Sequence, residues 1–396
     1  MILKSKRIYT SNGIVNGYLL IKAGRIASIS KECPADECVI DYENNRIIPG
    51  LFETHCHGSM GYSVHTKDDI ELESELKGFL KGTASYGVSN IFVLTRPEWM
   101  RDIVELIKKK EIKGSKVLGI FSEGPYLNRV GEKGFDKGHP DPDIKFIEKM
   151  IDDCQGLLKL VALSPEITGI DVIIEYLLQQ GIQVSFAHSN CNYKETIAAF
   201  DKGIRISTHT ANVMQGIHHR DIGALGACLM DDRIMCEVIC DGLRVCPEML
   251  DLMFKVKSYD HFMMITDGGC TIGGPCGKYI NGPFGDFEVT EEGLCITTYG
   301  RLGGSSKTLL KCVGELVERH HIPLEIVLKM SSYNQCKTYG FLKNKGEIKV
   351  DKDADLAIID DDYNALATYS EGRLIYDCHV DKDIFNQEYL DKYKIA

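Results

Sequence analysis

The chain has 396 residues, 44% of them hydrophobic and 26% charged, with 46 lysines and arginines against 57 aspartates and glutamates, a formal net charge of −11. This is the composition of a folded, water-soluble chain with room for one large domain and a smaller one, and it excludes disordered and collagen-like classes. The acidic surplus argues against a protein that coats nucleic acid by neutralising phosphates, yet a few local cations suffice for a small anionic substrate.

Fifteen cysteines in a chain of this length are too sparse for a disulfide scaffold, and the number is odd. No CxxC pair occurs; close spacings such as Cys33/Cys38, Cys236/Cys240 and Cys270/Cys276 fit none of the usual ligand patterns. The opening Met1-Ile2-Leu3-Lys4-Ser5-Lys6-Arg7 lacks the order of a leader peptide. No run reaches the roughly 18 apolar residues that span a bilayer. These features predict a cytoplasmic protein with no membrane partner and with reduced, mostly buried thiols.

Residues 1–48 alternate in period two, as in Gly17-Tyr18-Leu19-Leu20-Ile21-Lys22, and predict a small β unit. From residue 49 onward eight short apolar runs, 51–55, 90–95, 116–121, 157–163, 182–188, 204–209, 233–241 and 261–267, alternate with amphipathic segments. One such segment, 97–110, puts Trp99, Ile103, Leu106 and Ile107 on one face; another, 168–180, stops at Gly181. Eight strand–helix units predict an α/β fold of the (β/α)8 barrel type over 49–342, although a doubly wound open sheet alternates in the same way. The glycine-rich 268–304 region predicts a hairpin excursion, either a lid or a plain exposed hairpin, and Ser305-Ser306 predict the N-cap of a helix over 307–320. Residues 343–396 return to strand-like runs, so the two ends are expected to pair into one β-sandwich.

His55, Glu123, His188, His209 and Asp267 each stand at the end of a predicted strand, the first, third, fifth, sixth and eighth, and His57 follows His55 by two. In a barrel those ends meet on one face, where catalytic residues gather. Residues two apart on extended chain point the same way, so both rings of His55-Cys56-His57 reach one ion. Imidazole and carboxylate together suit zinc, iron or manganese, and an open position on such an ion acidifies water. Taken singly, each histidine also fits a hydrogen-bonded structural role, Glu123 a turn, and Asp267 a cap or turn.

Several segments resemble one known family. Pro49-Gly50-Leu51-Phe52-Glu53-Thr54-His55-Cys56-His57-Gly58 resembles the first-strand motif of the amidohydrolase superfamily. Glu123-Gly124-Pro125-Tyr126-Leu127-Asn128, Leu163-Ser164-Pro165-Glu166, Ala187-His188-Ser189-Asn190-Cys191, Thr208-His209-Thr210-Ala211-Asn212-Val213-Met214, Ile265-Thr266-Asp267 and Leu302-Gly303-Gly304-Ser305-Ser306 resemble, in order, the N-acetylglucosamine-6-phosphate deacetylases. The resemblance implies a principal metal on Glu123, His188 and His209, and a second on His55 and His57 with Glu123 bridging; Asp267 matches the catalytic aspartate. Asn212, the backbone of Val213, and Arg220 match positions used for the sugar phosphate. A homodimer is implied, with Arg220 or Arg244 reaching a neighbour's anion site.

Two positions depart from the pattern. Lys133-Gly134-Phe135-Asp136 places aspartate where the family has a carbonyl-binding histidine, which leaves His139 as a weaker substitute. Asp241-Gly242-Leu243-Arg244 places arginine where a phosphate-contacting histidine is expected; a guanidinium binds anions bidentately, and it also forms plain salt bridges. The expected reaction is metal-dependent removal of an N-acetyl group from a phosphorylated amino sugar. Rival readings are another amide hydrolase of the superfamily, acting on N-acetylgalactosamine 6-phosphate, an N-acyl amino acid or a cyclic amide, and a catalytically silent regulatory barrel. Cys56 and Cys191, beside proposed ligands, mark an expected oxidation hazard.

Overall fold

The computed structural model describes residues 1–34, 38–65, 71–109, 112–128, 138–282 and 285–395. Eight parallel strands follow one another in sequence order: Leu51–Glu53, Val88–Leu94, Lys116–Glu123, Leu158–Leu163, Gln183–Phe186, Ile206–Ser207, Met235–Ile239 and Phe262–Ile265. Each predicted apolar run supplies one of them. Their residues are buried on both faces, as a parallel sheet covered by helices requires. Between the eighth strand and the first, the sheet closes without a ladder: Asp267 N donates to His55 O at 2.9 Å, and Cys56 bridges Gly268.

The helices take their starts from local chemistry. Asn192 caps Tyr193–Asp201 in a reciprocal capping box with Glu195, and Asp143 caps Ile144–Cys154. The segment expected as one helix over 97–110 is a short 3-10 turn, Pro97–Trp99, continued by Met100–Lys109. The helix after the hairpin begins later than expected. Thr308, not Ser305 or Ser306, caps Leu309–Glu318, because the Ser305 hydroxyl is turned inward to Asp241 Oδ2 at 3.0 Å.

The two ends of the chain share one eight-stranded sheet, in which Leu356–Ile359 lies antiparallel to Arg46–Pro49. Ile8, Leu19, Ile47, Leu356, Ile358 and Tyr369 contribute to a core separate from the barrel's. The 268–304 excursion folds as a three-stranded antiparallel sheet, Gly277–Gly282, Gly285–Val289 and Cys295–Thr297. It has a small core of its own, where Tyr279 stacks on Phe287 at 4.9 Å and the C-terminal helix Gln387–Tyr393 adds Tyr389.

No disulfide joins the cysteines among the described residues, and most of the fifteen are buried. Burial pushes the Cys191 thiol up to about 12 and the Cys56 thiol higher still. Oxidants attack thiolate, so the expected hazard beside the candidate site is weakened by the same packing that places these residues there. No helix among the described residues is long and apolar enough to cross a membrane.

Candidate active site

The barrel brings its strand ends to one point. Glu123 Oε1 lies 3.0 Å from His188 Nε2, 3.3 Å from His209 Nε2 and 3.6 Å from His55 Nε2, while Oε2 lies 3.2 Å from His57 Nε2. On the other side Asp267 Oδ1 stands 3.1 Å from His57 Nε2 and 3.5 Å from His55 Nε2. Two triads result, His55–His57–Asp267 and Glu123–His188–His209, and within each the potential ligand atoms lie within 4.8 Å of one another. Glu123 touches both.

The backbone is bent to achieve this. His188, His209 and Asp267 have φ of 47°, 32° and 46°, the left-handed region that side chains ordinarily avoid. Such strain costs about 1–3 kcal/mol per residue and persists where the surroundings fix it. For His188 those surroundings are Ser164 and Glu166. The Ser164 hydroxyl lies 3.0 Å from His188 O and 2.9 Å from Ala187 O, and Glu166 accepts from Ser189 Oγ at 2.8 Å and from Asn190 N at 2.7 Å. The Ser-Pro-Glu turn thus holds a ligand-bearing loop.

Electrostatics ask for positive charge between the triads. Burial alone would raise the Glu123 carboxyl, but His55, His188, His209 and His57 outweigh it and hold it well below the usual carboxylate range. His57 goes the other way: burial opposes its charge, yet Asp267 and Glu123 push it up to about 10. The Nε2 atoms of His188 and His209 are only 3.0 Å apart, and the buried Nε2 of His55 has no hydrogen-bond partner among the described residues. Converging imidazole nitrogens around a shared carboxylate, one of them orphaned, are a donor set that fits a divalent cation.

Three functional neighbours escaped the sequence reading. Glu237, fully buried on the seventh strand, accepts at 3.4 Å from His55 Nδ1 and at 3.3 Å from the Thr54 hydroxyl, the orienting contact that ligating histidines commonly have. Glu53 spans the barrel seam, accepting from His55 N and Thr266 N at 3.2 Å each, and burial pushes it up to about 7. His65 Nδ1 meets His57 Nδ1 at 3.1 Å; burial holds its ring well below the ordinary value, which keeps it neutral and able to accept a hydrogen bond from the His57 N–H. The one available signal was a polar residue inside an apolar run, as at Glu53 and Glu237.

The expected substrate contacts divide. Asn212 and Val213 follow His209 directly; Asn212 N donates to His209 O at 2.9 Å, and Val213 has φ of 49°. Arg220 is exposed, with Nη1 2.7 Å from His219 Nε2. Arg244 is enclosed, its side chain only 5% exposed, and Nη1 donates to Asp267 Oδ2 at 3.2 Å and Asp267 O at 3.1 Å. His139 has its Nδ1 3.0 Å from Pro140 O, and no contact of the cluster involves it among the described residues. Asp136 lies outside the described residues.

A parallel eight-stranded barrel with imidazoles and carboxylates gathered at its mouth is the architecture of the amidohydrolases, which are metal-dependent, and the amidohydrolase family model matches residues 161–387. The N-acetylglucosamine-6-phosphate deacetylase of Vibrio furnissii is 31% identical over 84% of this chain and 83% of its own. The N-acetylgalactosamine-6-phosphate deacetylase of Escherichia coli O157:H7 is 29% identical over 94% of this chain and 98% of its own. The solved N-acetylglucosamine-6-phosphate deacetylase of Pasteurella multocida superposes with a TM-score of 0.83 at 26% identity, covering 94% of this chain and 98% of that one. The chain belongs to the N-acetylglucosamine-6-phosphate deacetylase family.

Proposed function

We propose that the chain hydrolyses the acetamide of N-acetylglucosamine 6-phosphate, giving glucosamine 6-phosphate and acetate in amino-sugar catabolism. The observation that carries this reading is the pair of triads with Glu123 reaching from one to the histidines of the other, a carboxylate where other amide hydrolases of the superfamily commonly use a carboxylated lysine, and Asp267 at the eighth strand end. All six groups are present, which disfavours a silent regulatory barrel.

Glu123, His188 and His209 would hold the principal cation, and His55 and His57, with Glu123 bridging and Asp267 alongside, a second; zinc suits the nitrogen-rich set best, with iron or manganese next. A bound cation supplies Lewis acidity and lowers the pKa of water toward about 7. Asp267 takes the proton of the attacking water and returns it to the amine nitrogen as the C–N bond breaks, so that the sugar leaves as a neutral or protonated amine. His65 and Glu237 hold the outer nitrogens of His57 and His55, which keeps their Nε2 lone pairs turned inward.

Asn212, the Val213 backbone and Arg220 are the proposed phosphate contacts, with Arg220 serving a neighbour's site in a homodimer; Arg244, enclosed and bonded to Asp267 of its own chain, is not available for that role. The proposed setting is cytoplasmic. The galactosamine epimer is the second reading, favoured by the Escherichia coli relative. The test is a deacetylation screen of zinc-loaded enzyme against both 6-phosphates, N-acetylglucosamine and N-acyl amino acids. Strong preference for a sugar phosphate is expected; equal rates with and without phosphate overturn that part of the assignment, and hydrolysis of N-acyl amino acids alone overturns the whole.

A further inference from the structure

The arginine that replaces the family's histidine in Asp241-Gly242-Leu243-Arg244 belongs to a closed hydrogen-bonded circuit. Its Nη1 reaches both the carbonyl and Oδ2 of Asp267, at 3.1 and 3.2 Å. Its backbone N donates to Asp241 Oδ1 at 3.0 Å, alongside Leu243 N at 2.9 Å. Asp241 is itself 1% exposed; Oδ2 accepts from the Ser305 hydroxyl at 3.0 Å, and its carbonyl accepts from Lys307 Nζ at 2.8 Å. Ser305 N then donates to Asp267 O at 3.3 Å and completes the ring. Gly304 allows the approach, since a Cβ there would stand 2.3 Å from Gly269 N.

The circuit acts on a residue that needs holding. Asp267 sits at φ of 46°, and its carbonyl is gripped from two sides, by Arg244 and Ser305. A carboxylate with both oxygens unheld turns about its Cβ–Cγ bond. Here one nitrogen ties Oδ2 to the residue's own carbonyl, which leaves Oδ1 toward His57 and His55. A substrate phosphate at Arg244 would have to compete with Asp267 for that same enclosed nitrogen.

We infer that Arg244 is a positioning residue for Asp267, and that the Arg244–Asp241–Ser305 bracket fixes which carboxylate oxygen faces the histidines and the attacking water. The kinetic part of this inference rests on the deacetylase reading; the positional part does not. A misplacement of about 1 Å at a reacting group costs roughly a hundredfold in rate.

The experiment compares wild type, Arg244→Met, Arg244→Lys and Ser305→Ala, each loaded with Co2+. It measures kcat and KM for N-acetylglucosamine 6-phosphate and the visible absorption of the bound cobalt, which reports the ligand geometry. The expected result for Arg244→Met is a fall in kcat of about a hundredfold, KM within about threefold, and a changed cobalt spectrum. Arg244→Lys recovers about tenfold of the loss, and Ser305→Ala, which keeps the arginine should Arg244→Met fail to fold, loses about tenfold in kcat. A rise in KM with kcat unchanged would assign Arg244 to the substrate anion and overturn the inference, as would an unchanged kcat and spectrum. If wild type does not turn over the sugar phosphate, the functional reading falls, and the cobalt spectra still decide the bracket.

Discussion

Two clusters of buried charge occupy opposite ends of the barrel, and they are wired differently. At the foot, where the strands begin, Lys345 lies 2.9 Å from Asp355, 3.1 Å from Asp353 and 3.2 Å from Glu371. Asp355 also accepts from Asn90 Nδ2 at 2.9 Å and Glu371 N at 2.7 Å, and Lys116 pairs with Glu371. Here every carboxylate has its cation or donor, and the cluster bolts the terminal sheet to the second and third strands. At the mouth, carboxylates and imidazoles face one another with an orphaned nitrogen among them. A charge cluster closed on itself serves stability, whereas one left open serves a ligand.

Substitutions should separate the two ends, and the largest effect belongs to Glu123. Glu123→Gln removes the carboxylate of one triad that also reaches the two histidines of the other, so turnover should fall by roughly three orders of magnitude or more, with bound metal lost in elemental analysis. Asp267→Asn comes next. It should lower kcat by about a thousandfold while the cation on Glu123, His188 and His209 stays bound, and activity retained in that variant would remove Asp267 from proton transfer.

The foot should answer in the opposite currency. Lys345→Met leaves Asp353, Asp355 and Glu371 facing one another across a site that is nearly closed to water, at a cost of about 3–5 kcal/mol. Chemical denaturation should show that loss, while kcat and metal content per folded molecule stay at the wild-type level. A kinetic defect in this variant would mean that the two ends are coupled and that the foot, too, serves the reaction.

The mouth was far more legible in the sequence than its supports. His55, Glu123, His188, His209 and Asp267 could be placed because each ends an apolar run, and barrel geometry alone then brings them together. Their partners obey no such rule. Glu237 meets His55 from the seventh strand, Ser305 meets Asp241 across the hairpin, and Asn90 and Lys116 meet Asp355 and Glu371 only once the terminal sheet packs on the barrel. Contacts of that kind arise from tertiary closure and leave no spacing to read. Ser305 shows the cost: beside a helical run a serine looks like a cap, and only the buried Asp241 carboxylate diverts it, leaving the cap to Thr308.

The smallest expected effect is one of sign with pH. At the foot, burial would raise Glu371, but Lys116 and Lys345 bring it below the ordinary glutamate value. Its contribution to stability is present above the unfolded value and is lost as pH falls through the folded one. At the mouth, burial lifts Glu53 from 4.5 to about 7. The folded protein then keeps a proton that the unfolded chain has released, so between those values Glu53 makes stability fall as pH rises, by on the order of 1–3 kcal/mol. Glu53→Gln keeps an acceptor for His55 N and Thr266 N and should flatten the decline between about pH 5 and 7, leaving the acid limb intact. Glu371→Gln should lower stability near neutrality and soften the acid limb only. Urea midpoints measured across that range distinguish the two, and a shared response from both variants would show that the clusters titrate as one.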